Sequence, residues 1–207
     1  GIVFLGPSFD TEQVAAGLAT LNGWATVDDL RESSDLQAYA RLIAKHLQLG
    51  RVVGLFHGAM EFGPRALGHR SLLVQATDAS INVSLNERLR RSEFMPFAPV
   101  TLRSRAREAY VDWEDNDGDG AYMTMCYMVT PAMAQMCPAV VHVDGSARPQ
   151  LVDEEDGLYF LILREYAALT GIHTLVNTSF NAHEKPIVCS PPDAAAAFRD
   201  GACDVLA

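Results

Sequence analysis

Apolar residues recur at helical spacing across residues 35–49, where Leu36, Tyr39, Leu42, Ile43 and Leu47 share one stripe, with Asp35 placed to cap the start and Gly50 to end it. Residues 51–56, Arg-Val-Val-Gly-Leu-Phe, then read as a buried strand. A helix leading directly into an apolar strand predicts an α/β chain. The pattern continues with a strand over 71–76, a helix over 79–89, a strand over 97–102 after Pro96, and a helix over 103–113 with its arginines exposed. Residues 121–129 and 139–143 have strand character, and Asp144-Gly145 predicts a hairpin turning back into 148–152. A helix over 158–169 is stopped by Gly171, a strand follows over 173–176, and an alanine-rich helix over 192–198 is stopped by Gly201. Ahead of these, residues 2–5 form an apolar run closed by Gly6-Pro7, and 11–21 has helical spacing ended by Asn22-Gly23. No internal repeat or low-complexity linker interrupts the chain. The reading is a single α/β domain over 35–207 whose twisted mixed β-sheet is flanked by helices, preceded by a connector or edge segment over 1–34.

Composition narrows the function classes. The chain has 207 residues, 49% of them hydrophobic and 20% charged, enough for one well-buried domain. Its 16 basic and 26 acidic residues argue against non-specific nucleic-acid binding, which needs an excess of basic charge to displace counterions. No apolar run approaches the roughly 20 residues that span a bilayer, and the start lacks the basic-then-apolar order of a signal peptide. A soluble, cytoplasmic chain without a membrane partner is expected. Cys126, Cys137, Cys189 and Cys203 are scattered without a C-x-x-C pair, which predicts reduced thiols rather than a disulfide framework or zinc site. The sequence starts at Gly1 and stops inside the run Asp204-Val-Leu-Ala, so a piece of a longer chain is expected.

The chemistry concentrates in residues 51–71. Gly63-Pro-Arg-Ala-Leu-Gly-His-Arg-Ser71 has the glycine spacing of a P-loop, but His69 and Arg70 stand where a lysine and a Ser/Thr should follow. What survives is a loop with Arg65 and Arg70 near backbone N–H groups, able to clamp a phosphoryl or carboxylate group. The alternative is that these arginines form structural ion pairs with Glu61 or Glu93. A second candidate is Thr174-Leu-Val-Asn-Thr-Ser-Phe-Asn181, placing Asn177, Thr178, Ser179 and Asn181 where parallel strands expose their carboxyl ends, a usual ligand location in open α/β sheets. Ordinary turns use the same residues. The cluster Arg88, Arg90 and Arg91 reads as a solvated helix face. His57 and His69 flank Glu61 without H-E-x-x-H spacing, so no metal site is assigned. Asp115-Asn-Asp-Gly-Asp-Gly120 resembles the start of an EF-hand, but Cys126 stands where the bidentate glutamate belongs, leaving an acidic turn.

These stretches together resemble the C-terminal half of the NodU/CmcH/TobZ family of O-carbamoyltransferases. The matching blocks are Gly58-Ala-Met-Glu-Phe-Gly-Pro-Arg-Ala-Leu-Gly-His-Arg-Ser71, Glu93-Phe-Met-Pro-Phe-Ala-Pro99, Asp144-Gly-Ser-Ala-Arg-Pro149, Thr174 to Asn181 and Pro186-Ile-Val-Cys-Ser-Pro191, with Leu85-Asn-Glu between the first two. The resemblance implies a YrdC-like α/β domain that follows, in full-length members, an N-terminal half of the ASKHA kinase-like fold. The implied activity is to bind carbamoyl phosphate and ATP, with Mg2+ held mainly through the nucleotide, and to form carbamoyl adenylate. The N-terminal carbamoyltransferase domain, which nothing in this chain resembles, would complete transfer to a metabolite hydroxyl.

Carried over residue by residue, Arg65 and Arg70 become the catalytic candidates that hold carbamoyl phosphate or the nucleotide's phosphates. His57, Glu61 and Ser71 join them as substrate- or nucleotide-binding positions. Arg148 matches the arginine of the Asp-Gly-Thr-Ala-Arg block, with Ser146 in place of the threonine. Ser179-Phe-Asn181 looks like the Ser-x-Asn element that binds nucleotide phosphates, supported by Asn177. One departure is Ala182-His-Glu-Lys185, which lacks the family's glycine, so Glu184 or Lys185 must accept its backbone conformation or the loop must differ. A reading of a different class is an inert scaffold module that docks on the N-terminal half.

Overall fold

The computed structural model describes residues 3–26, 35–91, 96–114, 118–182 and 184–207. Its elements in chain order are α1 (Thr11–Ala19), α2 (Leu36–Gln48), β1 (Val53–Phe56), β2 (Arg70–Gln75), α3 (Ile81–Arg88), β3 (Ala98–Leu102), α4 (Ala106–Ala109), β4 (Tyr127–Met128), α5 (Pro131–Met136), β5 (Ser146–Ala147), β6 (Gln150–Val152), α6 (Leu158–Thr170), β7 (Thr174–Ser179), α7 (Pro191–Arg199) and β8 (Val205–Leu206). Six strands form one sheet in the order β6-β3-β7-β2-β1-β8, and β4 pairs with β5 alone. The pairs β1–β2, β2–β7 and β7–β3 are antiparallel, while β3–β6 and β1–β8 are parallel, so the sheet is mixed as expected.

Neighbouring residues on a strand point to opposite faces, and both faces of this sheet are covered. Leu55, Leu73, Val100 and Leu175 meet α2 and α6 through Ile43, Leu47, Ile162 and Leu163. On the other side Leu72, Val74 and Val176 meet Leu85, Tyr110 and Ala194. Burial on both faces explains why the strands read as continuous apolar runs. Each buried branched side chain stabilises the fold by about 1.5–3 kcal/mol.

Local signals set the ends of the longer helices. The Asp35 carboxylate accepts hydrogen bonds from the N–H groups of Gln37 and Ala38, and Gly50 turns the chain at φ 75°. The buried stripe of α2 is centred on Ala40, Ile43, Ala44 and Leu47, with Leu36 47% exposed, so it is rotated from the predicted one. Small alanines let α6 come close, and there Gln37 and Arg41 donate to Glu165, each at 3.0 Å.

Three expectations are corrected. The helix predicted over 103–113 is a 3-10 turn, Arg103–Arg105, followed by the four-residue α4. Tyr110 then turns extended and is drawn into the core, where its hydroxyl bonds Thr101 at 2.8 Å. The strand expected over 139–143 is instead a 3-10 turn, Pro138–Val140, preceded by α5, which Thr130 caps through the Met133 N–H and Pro131 starts. Of the strand expected over 121–129, Tyr127–Met128 is paired, with β5, after a 3-10 turn over Gly118–Tyr122. Glu93, the acidic turn at 115–117 and residues 27–34 of the expected connector lie outside the described residues.

The described start of the chain packs into the domain. Phe62 N–H donates to Val3 O at 2.7 Å, Gly6 N–H to Met60 O at 2.9 Å and Met60 N–H to Pro7 O at 2.9 Å. Helix α1 lies against α7 so closely that a Cβ on Gly17 would sit 2.7 Å from Pro191. Among the described residues no helix is long and apolar enough to cross a membrane.

Candidate functional site

The loop between β1 and β2 is gripped from two sides. Glu61, 6% exposed, turns one carboxylate oxygen on the N–H groups of Leu67, His69 and Arg70 at 2.7, 2.8 and 3.1 Å. Charged acceptors on backbone donors make strong hydrogen bonds, so this acid serves the loop's own backbone. From the sheet, the Asn177 amide donates to Ala66 O at 3.1 Å and to the Gln150 side-chain oxygen at 2.9 Å. The Gln150 amide donates to Leu67 O at 2.9 Å. Between these grips Gly68 takes φ 110°, its N–H donates to Ser71 Oγ at 2.9 Å, and a Cβ there would strike the Tyr159 ring at 2.4 Å. No other residue type fits that turn without displacing α6.

Arg70 is fully buried. Nη1 donates to the carbonyls of His57, Gly58 and His69 at 2.8, 3.2 and 3.0 Å, and Nη2 to Gly58 and Pro7 at 3.2 and 3.4 Å. The guanidinium lies 3.7 Å above the Phe56 ring, and burial pulls its pKa down. Its terminal nitrogens are already occupied by carbonyl oxygens, the geometry of an internal tie among β1, the loop and residue 7. The ion pair with Glu61 that the alternative reading allowed is not formed, since Glu61 bonds the Arg70 N–H instead.

His57 and His69 meet edge to face at 5.2 Å, and His69 stacks on Phe4 at 3.8 Å with Nδ1 2.6 Å from Ala59 O. Burial lowers both imidazole pKa values, helped at His57 by the neighbouring His69 and Arg70. Among the described residues no group of three or more histidines, cysteines or acids is placed to hold a metal ion.

Arg65 behaves differently from Arg70. It is exposed, and among the described residues it has no hydrogen bond or ion pair. It lies close enough to Arg148 to lower the Arg148 pKa, after the larger effect of burial. Arg148 stands between β5 and β6, half-buried and equally without a carboxylate partner among the described residues. Arg91 is a third such residue, and here the solvated helix face expected of Arg88, Arg90 and Arg91 is corrected: the helix ends at Arg88, and Arg91 is partly buried beyond it. Arg90 ends α3 in a left-handed turn at φ 56°, which brings Arg91 back onto the sheet. There Nη2 donates to Thr178 Oγ1 at 3.2 Å and the guanidinium sits 5.4 Å from the Phe97 ring. Spacing alone could not separate Arg91 from Arg88, which pairs with Asp204 at 2.7 Å.

Ser179 lies opposite Ser71 in the β2–β7 register and about 7 Å along the strand from Asn177. Its hydroxyl donates to Asn181 Oδ1 at 2.5 Å, and the Asn181 amide donates to Lys185 O at 2.8 Å and Ala182 O at 3.3 Å. Glu184 adopts φ 59°, supplying the left-handed turn without a glycine. One rationale is corrected: β7 is antiparallel to both its neighbours, so these residues do not mark the carboxyl end of a parallel array. They gather where the end of β7 meets the β1–β2 loop. Gln150 also escaped the sequence reading, because a glutamine on an edge strand carries no motif. A cavity of about 650 Å³ lies elsewhere, between α1, α2, α7 and β8 at the opposite sheet edge from β6.

Residues 44–207 match the family model described as Carbamoyltransferase C-terminus. Nodulation protein NolO of Bradyrhizobium diazoefficiens is 33% identical over 198 residues, covering 95% of this chain and 35% of that protein. Nodulation protein U of Rhizobium tropici is 37% identical over 163 residues, covering 78% of this chain and 27% of that protein. The chain thus spans about a third of the length of the curated relatives it matches. Among solved structures, full-length HypF in its phosphate- and nucleotide-bound form superposes with a TM-score of 0.60 at 18% identity, over 81% of this chain and 24% of HypF. That likeness is one of fold, and it agrees with the mixed sheet in giving the YrdC-like architecture. On the family match, the chain belongs to the carbamoyltransferase C-terminus family.

Proposed function

We propose that this domain binds carbamoyl phosphate and ATP and makes carbamoyl adenylate, for transfer to a metabolite hydroxyl by the N-terminal domain of a longer protein. The observation that carries the reading is the Arg65–Arg148 pair: two guanidinium groups close enough to act on each other's charge and without a carboxylate partner among the described residues, in a chain of net charge −10. Like charges held together disfavour each other unless an anion joins them. Arg65 and Arg148 take the phosphoryl group of carbamoyl phosphate, and Arg91 with Ser179 and Asn181 serves the nucleotide phosphates. Arg70, Glu61 and Ser71 hold the loop rather than the ligand, and His57 borders it.

In balanced form, water releases inorganic phosphate from carbamoyl phosphate and leaves carbamate. A carbamate oxygen then attacks the α-phosphorus of ATP and expels pyrophosphate. Such chemistry needs positioning and charge stabilisation rather than a covalent nucleophile on the protein. Magnesium would arrive held by the nucleotide phosphates. A cytoplasmic setting, where ATP is supplied, goes with this role.

The test is phosphate and pyrophosphate release from carbamoyl phosphate, ATP and magnesium, with calorimetry of each ligand. Absence of both release and binding overturns the reading for this chain. A second reading, an inert module that docks on the N-terminal domain, is favoured by the apolar cavity at the β8 edge, lined by Leu18, Leu21, Tyr39 and Phe198. Binding of that domain without binding of either small molecule would establish it.

A further inference from the structure

We propose that Gln150 is a positioning residue which, with Asn177, sets the separation of Arg65 and Arg148. The inference rests on the anion-site reading and deepens it. Both amides are buried, Gln150 at 2% and Asn177 at 1% exposure, and they bond each other at 2.9 Å. Asn177 holds the carbonyl of Ala66, the residue after Arg65, at 3.1 Å. Gln150 follows Arg148 by two residues across Pro149, whose fixed φ leaves little play between them. The bridge therefore runs from the backbone beside one arginine to the backbone beside the other.

A buried amide pair is an expensive way to fill a core, and here it is incompletely satisfied: Asn177 Oδ1 is buried without a hydrogen-bond partner. Apolar side chains would pack these two positions with less desolvation. What they could not do is fix two carbonyls of an irregular loop against an edge strand. The arginines need that restraint because their mutual repulsion favours separation, and the exposed Arg65 side chain has no hydrogen bond or ion pair among the described residues to anchor it. Preorganised charges bind an anion more tightly because less ordering remains to be done on binding.

The experiment is a double-mutant cycle on the 207-residue chain, read by calorimetry with carbamoyl phosphate and with inorganic phosphate. Gln150→Met, nearly isosteric and unable to donate, should weaken binding by about tenfold in the native background. In an Arg148→Ala background, where no pair is left to space, the same change should cost less than about twofold. Equal losses in both backgrounds would reduce Gln150 to a structural residue, and native-like binding by Gln150→Met would overturn the proposal. Asn177→Leu, crossed with Arg65→Ala, runs the same cycle from the other end and replaces it should Gln150→Met fail to fold. If the native chain itself binds neither probe, the anion-site reading fails first.

Discussion

Arg65 and Arg70 stand five residues apart in one glycine-rich loop, and the fold uses them in opposite ways. Arg70 is buried with its terminal nitrogens on four backbone carbonyls, whereas Arg65 is exposed and unbonded among the described residues. An arginine in such a loop is therefore not an anion ligand by virtue of its place. What decides is how many of its donors the protein has already taken. The largest expected effect tests the inward one. Arg70→Ala should cost roughly 3–5 kcal/mol of stability, because it strands buried carbonyls and empties the space above Phe56. Urea unfolding measures it, and a loss below about 1 kcal/mol would erase the distinction from Arg65.

The outward arginine should show the reverse. Arg65→Ala and Arg148→Ala should each leave stability within about 0.5 kcal/mol and weaken carbamoyl phosphate binding by roughly 1.5–3 kcal/mol. The double variant should lose less than the sum, since the two guanidinium groups serve one anion. Calorimetry separates these outcomes, and unchanged affinity in both single variants would remove the pair from the site.

The same contrast shows what the sequence could reveal. Strands and helices with strong periodicity were legible: the predicted 71–76 and 158–169 became β2, Arg70–Gln75, and α6, Leu158–Thr170. Short elements were not, because α5 and β8 are fixed by a proline start and by a partner strand far away in sequence. At the site, Arg65 and Arg148 could be named from their blocks, but their lack of carboxylate partners among the described residues is a property of three-dimensional placement. Gln150 was missed, and Arg91 was misread as part of a solvated helix face, for the same reason: an amide on an edge strand and an arginine after a left-handed turn acquire meaning only from what they reach.

The histidines beside Arg70 give a smaller, pH-dependent contrast. Burial and the nearby guanidinium hold the His57 pKa below the ordinary 6.5, and burial holds His69 low against the pull of Ala59 O and Glu61. The folded chain therefore takes up these protons at lower pH than the unfolded chain. Stability from this source is complete above about pH 6.5 and falls as pH drops through the folded values. Tm should decline on going below pH 6.5, and His57→Asn should flatten that decline. An unchanged slope in His57→Asn would mean that burial and the neighbouring His69 and Arg70 do not lower the His57 pKa.

The smallest effect concerns the uncharged arm of the site. Glu184 holds φ 59°, a conformation that costs an L-residue roughly 1–2 kcal/mol. Glycine relieves that strain but surrenders about 0.5–1 kcal/mol of unfolded-state entropy. Glu184→Gly should therefore change stability by between about 0 and 1.5 kcal/mol in the stabilising direction. The turn also presents Ala182 O and Lys185 O to the Asn181 amide, which in turn accepts from Ser179. If the Ser179–Asn181 arm is fixed by those bonds, ATP affinity in Glu184→Gly should stay within about twofold of the native value. A larger loss would place the control of that arm in the backbone of residue 184, and would make the uncharged arm as dependent on its loop as Arg65 is on the Asn177–Gln150 bridge.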